Sequence, residues 1–511
     1  MNASSVTVSI DTINITGQHS QIAENIINFK GLAYSNSDGT TRWQPSSSAT
    51  LSTSDAQQYG PICPQNPTPL DALTGSLADF KQDEACLNLN IATPDLRGAK
   101  PVMVWIHGGG FGVGANCLPS YQGDMLASVG DVVVVSINYR LGALGFLRLC
   151  DATGGAIQAT GNEGLHDQIT ALHWIKTHIH HFGGDPNNIT LFGESAGAMS
   201  IACLLAMPAA KGLFHKAILQ SGAGHTFSSV EQANTVASAF LRAAAELGFA
   251  PDQLSQLPST EILRIHHHFM SQPENYAKFG ILPFKPVIDG EDLPVAPYQA
   301  IAQGCAKDIP ILAGTNSDEW TLFALLERNK DIDDNDLNAR LGAFIPTPLI
   351  PKFIELATRE LNSRDIPISN NEILSAIYTH YWFTEPCNRL LSQHSKAGGN
   401  AYRYLLSIDT VIPHLRCTHI ADIGYVFGLV HPQFHGSQPR VARVQEQIQK
   451  SWTQFAKTGD PSTADDIWPK YEVENNSQFM AFEHVHTLVQ SVDASYTMLW
   501  GSIADQALAP T

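Results

Sequence analysis

The chain has 511 residues, 43% of them hydrophobic and 15% charged, with a formal net charge of −18 at pH 7. That balance supports a large folded core and excludes disorder, while an acidic excess without any lysine-rich run excludes nucleic acid and anionic membrane surfaces as partners. No apolar stretch is long enough for a transmembrane helix, so no membrane span is expected. The first residues, Met1 to Ile10, lack a basic segment followed by an apolar one, which makes the cytoplasm the expected location. A periplasmic or secreted protein is the alternative if a signal peptide is missing from this sequence. The eight cysteines are too sparse for a disulfide scaffold and show no C-x-x-C spacing. The expectation is a single domain over 1–511, of α/β class, acting as a monomer or homodimer.

In chain order, Val6, Val8, Ile10, Ile13 and Ile15 alternate with polar residues, and Phe29 to Tyr34 follows, which predicts a small antiparallel N-terminal sheet. Leu87-Asn-Leu-Asn-Ile91 alternates in the same way. Val102 to Ile106 and Val132 to Ile137 are continuous apolar runs and read as buried central strands of a large, mostly parallel sheet. Between them lies the glycine-rich turn His107-Gly-Gly-Gly-Phe-Gly112. Gly164 to Phe182 has helical spacing. Lys216 to Gln220, Ile309 to Ala313 and Ala401 to Leu406 are further strands, whose ends are where open α/β sheets place ligands. Around 225–300 and 320–400 the pattern becomes helical and polar-faced, predicting lid insertions over the sheet. Arg440 to Lys457 reads as a final helix.

Ile189 to Ser200 is the stretch that bears most on chemistry. Gly193-Glu-Ser-Ala-Gly197 fits G-x-S-x-G between a strand and a helix, a tight turn that would expose the Ser195 hydroxyl above the sheet. Serine needs a base, and the base an orienting carboxylate, in the chain order nucleophile, acid, histidine. Asp318 and Glu319, after the Ile309 strand, are both candidates for the acid. His414 and His419, in the loop after the Ala401 strand, are both candidates for the base. A developing oxyanion needs backbone N–H groups at close range, which Gly109, Gly110 and Ala196 would supply.

With these segments in place, the chain resembles the type-B carboxylesterases. The likeness runs through Phe29 to Tyr34, Cys86 to Ile91, Trp105 to Phe111, Asn138 to Gly142, Gly161 to Gln168, Phe182 to Pro186 and Phe192 to Gly197. It continues in Gln220 to Gly222, Pro286 to Gly290, Tyr425 to Gly428 and Trp452 to Pro461. The resemblance implies an α/β-hydrolase fold and a cofactor-independent, metal-free serine esterase acting on small-molecule carboxylic esters, closest in character to bacterial para-nitrobenzyl esterases. It selects Glu319 as acid and His419 as base, and gives Glu194, Ser221 and Asp422 supporting places. It also matches Cys63 and Cys86 to positions that form a disulfide in secreted relatives; without a signal peptide, reduced thiols are expected. Departures from the family pattern are Trp320 in place of a glycine, His107 where some relatives carry tyrosine, and His178 in place of an asparagine. The other functional classes considered are a non-catalytic, neuroligin-like binding module, a lipase and an amidase. A cholinesterase is disfavoured because no tryptophan lies between Cys63 and Cys86.

Other polar residues have plainer readings. Asp167, Arg140 and Asp185 are expected in buried ion pairs. His266-His-His268 points in three directions on a helix and is expected at the solvated surface, as are His178, His180 and His181. Aromatic residues at 269–285 and 376–383 either line a gorge or pack a core.

Overall fold

The computed structural model describes residues 4–10, 12–49, 55–69, 71–326, 331–473, 477–483, 487–491 and 494–503. Twelve strands form one sheet in the order β1-β2-β3-β4-β6-β5-β7-β8-β11-β12-β13-β14. In chain order these are β1 (Ser5–Ile10), β2 (Ile13–His19), β3 (Ile27–Ala33), β4 (Asn88–Thr93), β5 (Lys100–Ile106), β6 (Val133–Ile137), β7 (Gly184–Glu194) and β8 (Lys216–Gln220). Then come the short β9 (Ser228–Ser229) and β10 (Val287–Ile288), which pair only with each other. The remaining strands are β11 (Ile311–Asn316), β12 (Ala401–Ser407), β13 (Gln478–Glu483) and β14 (Thr487–Ser491). From β6 through β13 every pairing is parallel; β1 to β4 and β14 are antiparallel additions at the two edges. The antiparallel N-terminal strands are thus continuous with the main sheet, because β4 pairs with β3 on one side and with β6 on the other.

The continuous apolar runs follow from burial on both faces. In β5, Val102, Val104 and Ile106 join one core layer and Met103 and Trp105 the other, as the two-residue period of a strand requires. The first layer contains the helix Ala196–Ala206, and the second the helix Pro439–Thr458 through Val444, Ile448, Trp452 and Phe455. The alternation of β4 has a different cause. Asn88 and Asn90 are buried too, and each is held by hydrogen bonds, Asn88 Nδ2 to Pro61 O (2.8 Å) and Gly31 N to Asn90 Oδ1 (2.9 Å). Arg140 and Asp167 form the expected buried pair in bidentate geometry, at 2.8 and 2.7 Å. Asp185 does not. It is partly exposed at the start of β7, and its Oδ1 accepts from Asn187 N at 2.8 Å. Cys63 and Cys86 are buried free thiols, and Cys63 Sγ accepts from Leu141 N at 3.3 Å.

Above the strand ends, the 225–300 stretch forms helices Val230–Glu246 and Ser259–Ser271, the first opened by Ser229 and Gln232 in a reciprocal capping box. Phe240, Phe269, Phe279 and Phe284 pack together between them, so these rings are core. His266 is not at the solvated surface: its ring meets Phe284 at 4.8 Å and fills the space where a side chain on Gly142 would lie. Burial holds it down at about 4. His267 is exposed and His268 pairs with Glu246. His178 and His181 are only partly exposed and His180 is exposed, so of those three only His180 matches the surface expectation. The 320–400 stretch has its own apolar cluster, in which Leu341, Phe353 and Ile377 pack with Trp500 of the C-terminal helix Ala494–Gly501.

Candidate active site

β7 ends at Glu194 and the next helix begins at Ala196, so Ser195 alone makes the turn, at φ 55° and ψ −124°. That conformation is strained for any residue with a side chain and persists only where the surroundings fix it. Here Ser195 N donates to Gln220 O at 2.8 Å, at the end of the neighbouring strand β8. The flanking glycines are required by space. A Cβ on Gly193 would lie 2.7 Å from Ile106 O, and one on Gly197 only 1.9 Å from the same atom. The strand and helix therefore close against β5 with no room for another atom.

β5 leads directly into the glycine turn. A Cβ on Gly108 would stand 3.1 Å from Ser195 Cβ, which puts this turn beside the serine. Gly109 and Gly110 adopt φ 101° and 60°. Gly109 O closes the turn by accepting from Gly112 N and Val113 N, both at 3.1 Å. Within the described residues no backbone acceptor engages the N–H groups of Gly109, Gly110 or Ala196. The turn is braced from behind by His107, which stacks on Tyr139 at 4.5 Å while Tyr139 Oη donates to His107 O at 2.7 Å.

His419 approaches from the loop after β12 and is almost fully buried. Its Nδ1 lies 2.6 Å from Glu319 Oε2, and because a carboxylate only accepts, this contact puts a proton on Nδ1. Glu319 Oε1 accepts from Ser221 Oγ at 2.6 Å and from Asn316 N at 2.7 Å, so the carboxylate is fixed by three donors. On the opposite edge of the ring, Nε2 is 3.0 Å from Glu194 Oε1, without the alignment of a hydrogen bond. Burial opposes a charge on His419, but Glu194 and Glu319 outweigh it and hold the imidazole above its usual range. Glu194 in turn is pushed up by burial, against the pull of His419. The rings of Phe383 (4.8 Å) and Phe323 (5.1 Å) cover the imidazole. Of the two aromatic stretches, 376–383 thus reaches the site.

The residues left as alternatives separate cleanly. Asp318 is bound by Arg364 Nη2 at 2.5 Å and Arg416 Nε at 2.6 Å, so it is committed to an ion-pair cluster. His414 is exposed. Asp422 is buried but does not touch His419. Its Oδ2 accepts from Tyr404 Oη (2.6 Å) and Gln220 Nε2 (2.8 Å), and the backbone of that same Gln220 holds Ser195. Gln220 belongs to a segment that carries the family resemblance, but nothing local to it or to Tyr404 reveals this tie. Ser221 and Ile420 also sit at positive φ, 51° and 68°, so strained non-glycine residues flank the site on three segments.

A serine at a strained strand-to-helix turn, a glycine turn beside it, and a carboxylate-held histidine facing the Glu194 that precedes the serine make an arrangement for attack on a carbonyl. The carboxylesterase family model matches residues 4–500. The chain belongs to the carboxylesterase family. It is 39% identical over 432 residues to the para-nitrobenzyl esterase of Bacillus subtilis, covering 82% of this chain and 83% of that one. To the liver carboxylesterase of Sus scrofa it is 33% identical over 453 residues, covering 81% and 78%. Among solved structures, a carboxylesterase from Geobacillus stearothermophilus superposes with a TM-score of 0.84 at 31% identity, covering 98% of this chain and all of that one. The protein is a serine carboxylic-ester hydrolase with the α/β-hydrolase fold, which removes the non-catalytic binding module from consideration. Trp320, the departure from the family pattern nearest the acid, stacks on Phe323 at 4.9 Å and Trp382 at 5.7 Å. It thereby fixes the aromatic wall over His419. Among the described residues no helix is long and apolar enough to cross a membrane.

Proposed function

We propose that Ser195 is the nucleophile, His419 its base and Glu319 the orienting acid, with the N–H groups of Gly109, Gly110 and Ala196 as the oxyanion hole. The observation that carries this reading is the 2.6 Å contact of His419 Nδ1 with a Glu319 carboxylate that Ser221 and Asn316 also hold. With its proton on Nδ1, the imidazole keeps the lone pair of Nε2 to take the Ser195 proton as Oγ attacks the ester carbonyl. The alcohol then leaves with that proton, and water repeats the sequence on the acyl-enzyme to release the acid. Glu194, against Nε2, stabilises the imidazolium in both half-reactions.

The substrates proposed are small to medium carboxylic esters. A monomer or homodimer suffices, because every group of the site comes from one chain. A cytoplasmic location belongs to the same reading, supported by eight cysteines that are all free thiols. Reaction with a fluorophosphonate followed by peptide mass spectrometry tests the nucleophile: the adduct is expected on Ser195 alone, and an adduct on any other serine would overturn the assignment.

A further inference from the structure

The acid and the base proposed for the site stand on two loops that are stitched to each other. Asp318 N donates to Cys417 O at 3.0 Å, Asn316 Nδ2 donates to Thr418 O at 3.0 Å, and Thr321 Oγ1 lies 2.6 Å from Leu415 O. The base loop is nevertheless strained: His414, Arg416 and Ile420 have φ of 69°, 49° and 68°. Such conformations last only where neighbouring groups enforce them. Arg416 is itself held through its side chain. Its Nε donates to Asp318 Oδ1 at 2.6 Å, beside Glu319, while Nη1 and Nη2 donate to the two oxygens of Glu372 at 3.2 and 2.7 Å. Asp318 is buried and Arg416 largely so, which shields this fork from water. Glu372 lies in the first turn of the helix Asn370–Thr379, which runs on into His380–Thr384 and there brings Phe383 onto His419. One guanidinium thus joins the turn of the acid, the loop of the base and the helix that leads to the aromatic cover. Arg364 also holds Asp318, at 2.5 Å, but it follows the helix Ile350–Ser363 and is not part of the base loop.

We propose that Arg416 is a positioning residue for His419: its fork keeps the base loop in its left-handed conformation and so holds the 2.6 Å contact of His419 Nδ1 with Glu319. This role rests on His419 and Glu319 being base and acid. Lysine replaces it only in part, because an ammonium is a point charge for one carboxylate where the planar guanidinium spans two. The charged groups facing His419 are Glu194, Glu319 and, without contact, Asp422. A loosened Glu319 contact moves the acid limb of kcat/KM to lower pH, whereas the bare loss of a nearby cation would move it to higher pH. The direction of the shift separates positioning from charge.

Arg416→Gln, Arg416→Lys and Arg364→Gln are compared in the full chain, with His419→Gln alongside. Fluorophosphonate labelling run to completion counts competent sites, and para-nitrophenyl butyrate hydrolysis gives kcat per site, KM and the acid limb. Arg416→Gln is expected to lose about 10- to 100-fold in kcat per site, the scale of a small misplacement of reacting groups, with KM little changed and the acid limb at lower pH. Arg416→Lys is expected to fall between that variant and the unmodified protein, and Arg364→Gln to stay within about twofold of the unmodified protein. A purely structural role would lower the number of competent sites and leave kcat per site and the acid limb alone, and that result would overturn the proposal. So would a loss in Arg364→Gln equal to that in Arg416→Gln. Should Arg416→Gln not fold, Arg416→Lys carries the test on the same readouts: a lower kcat per site with the limb at lower pH upholds the role, and unmodified values overturn it. Turnover retained by His419→Gln would overturn base and positioning together, whereas an inactive His419→Gln beside an unchanged Arg416→Gln removes only the role of Arg416.

Discussion

Around Ser195 the packing is backbone on backbone: added Cβ atoms on Gly193, Gly197 and Gly108 would all meet main-chain or nucleophile atoms within 1.9 to 3.1 Å. In the helical wall above, the packing is ring on ring, with Phe240, Phe269 and Phe284 at centroid distances of 5.4 to 6.2 Å. Main chain in a sheet cannot retreat without breaking its ladder, whereas side chains repack. The first region therefore fixes the reacting atoms, whereas the second can repack without moving them. Mutations placed in each region test that division.

The largest effect is expected for Ser195→Ala, with kcat for a para-nitrophenyl ester falling roughly 10⁴- to 10⁶-fold while circular dichroism stays unchanged. Turnover retained by that variant would remove Ser195 from the mechanism. Glu319→Gln should cost about 10⁴-fold in kcat, since an amide in that place no longer enforces a proton on Nδ1. A loss of less than about tenfold would show that His419 is oriented by something else. In Gly108→Ala the new methyl group meets the Glu194 carboxylate and Ser195 Cβ. A drop of roughly 10²- to 10³-fold in kcat, the size of a lost oxyanion donor, is expected with little change in KM.

Glu194→Gln probes the charge rather than the packing. The base must be neutral, and Glu194 helps hold His419 above its usual range, so the acid limb of kcat/KM lies at higher pH than an ordinary histidine gives. Removing the carboxylate should move that limb to lower pH, and an unmoved limb would show that Glu194 does not act on the imidazole. The smallest effect is expected in the aromatic cover over His419. Phe383→Leu thins the cover over His419 and should change the ratio of kcat/KM between butyrate and octanoate esters by about 1 kcal/mol, or a few fold, without abolishing turnover.

How far the sequence reached follows from how local each feature is. His266 shows the limit: three adjacent histidines on a helix point in different directions, but only the packing of Phe284 and Gly142 around one of them draws it partly out of solvent. The Asp318 and Glu319 pair shows it again. Both acids follow β11, and by the residues alone either could orient the base until resemblance to a family selected one. The physical reason is two arginines, Arg364 and Arg416, 46 and 98 positions away, which claim Asp318.

The central strands and the two glycine turns were determined by the sequence itself, because unbroken apolar runs bury on both faces and only glycine fits where an added Cβ would lie within 3 Å of another backbone. By contrast, β13 and β14 lie past the last element the sequence predicts. The tertiary structure alone decided the tie from Asp422 through Gln220 to Ser195 and the aromatic cover on His419. Those depend on residues 100 or 202 positions apart meeting, as His419 meets Glu319 and Gln220 meets Asp422. Such meetings are set by the order in which parallel strands line up, and no local pattern encodes that order.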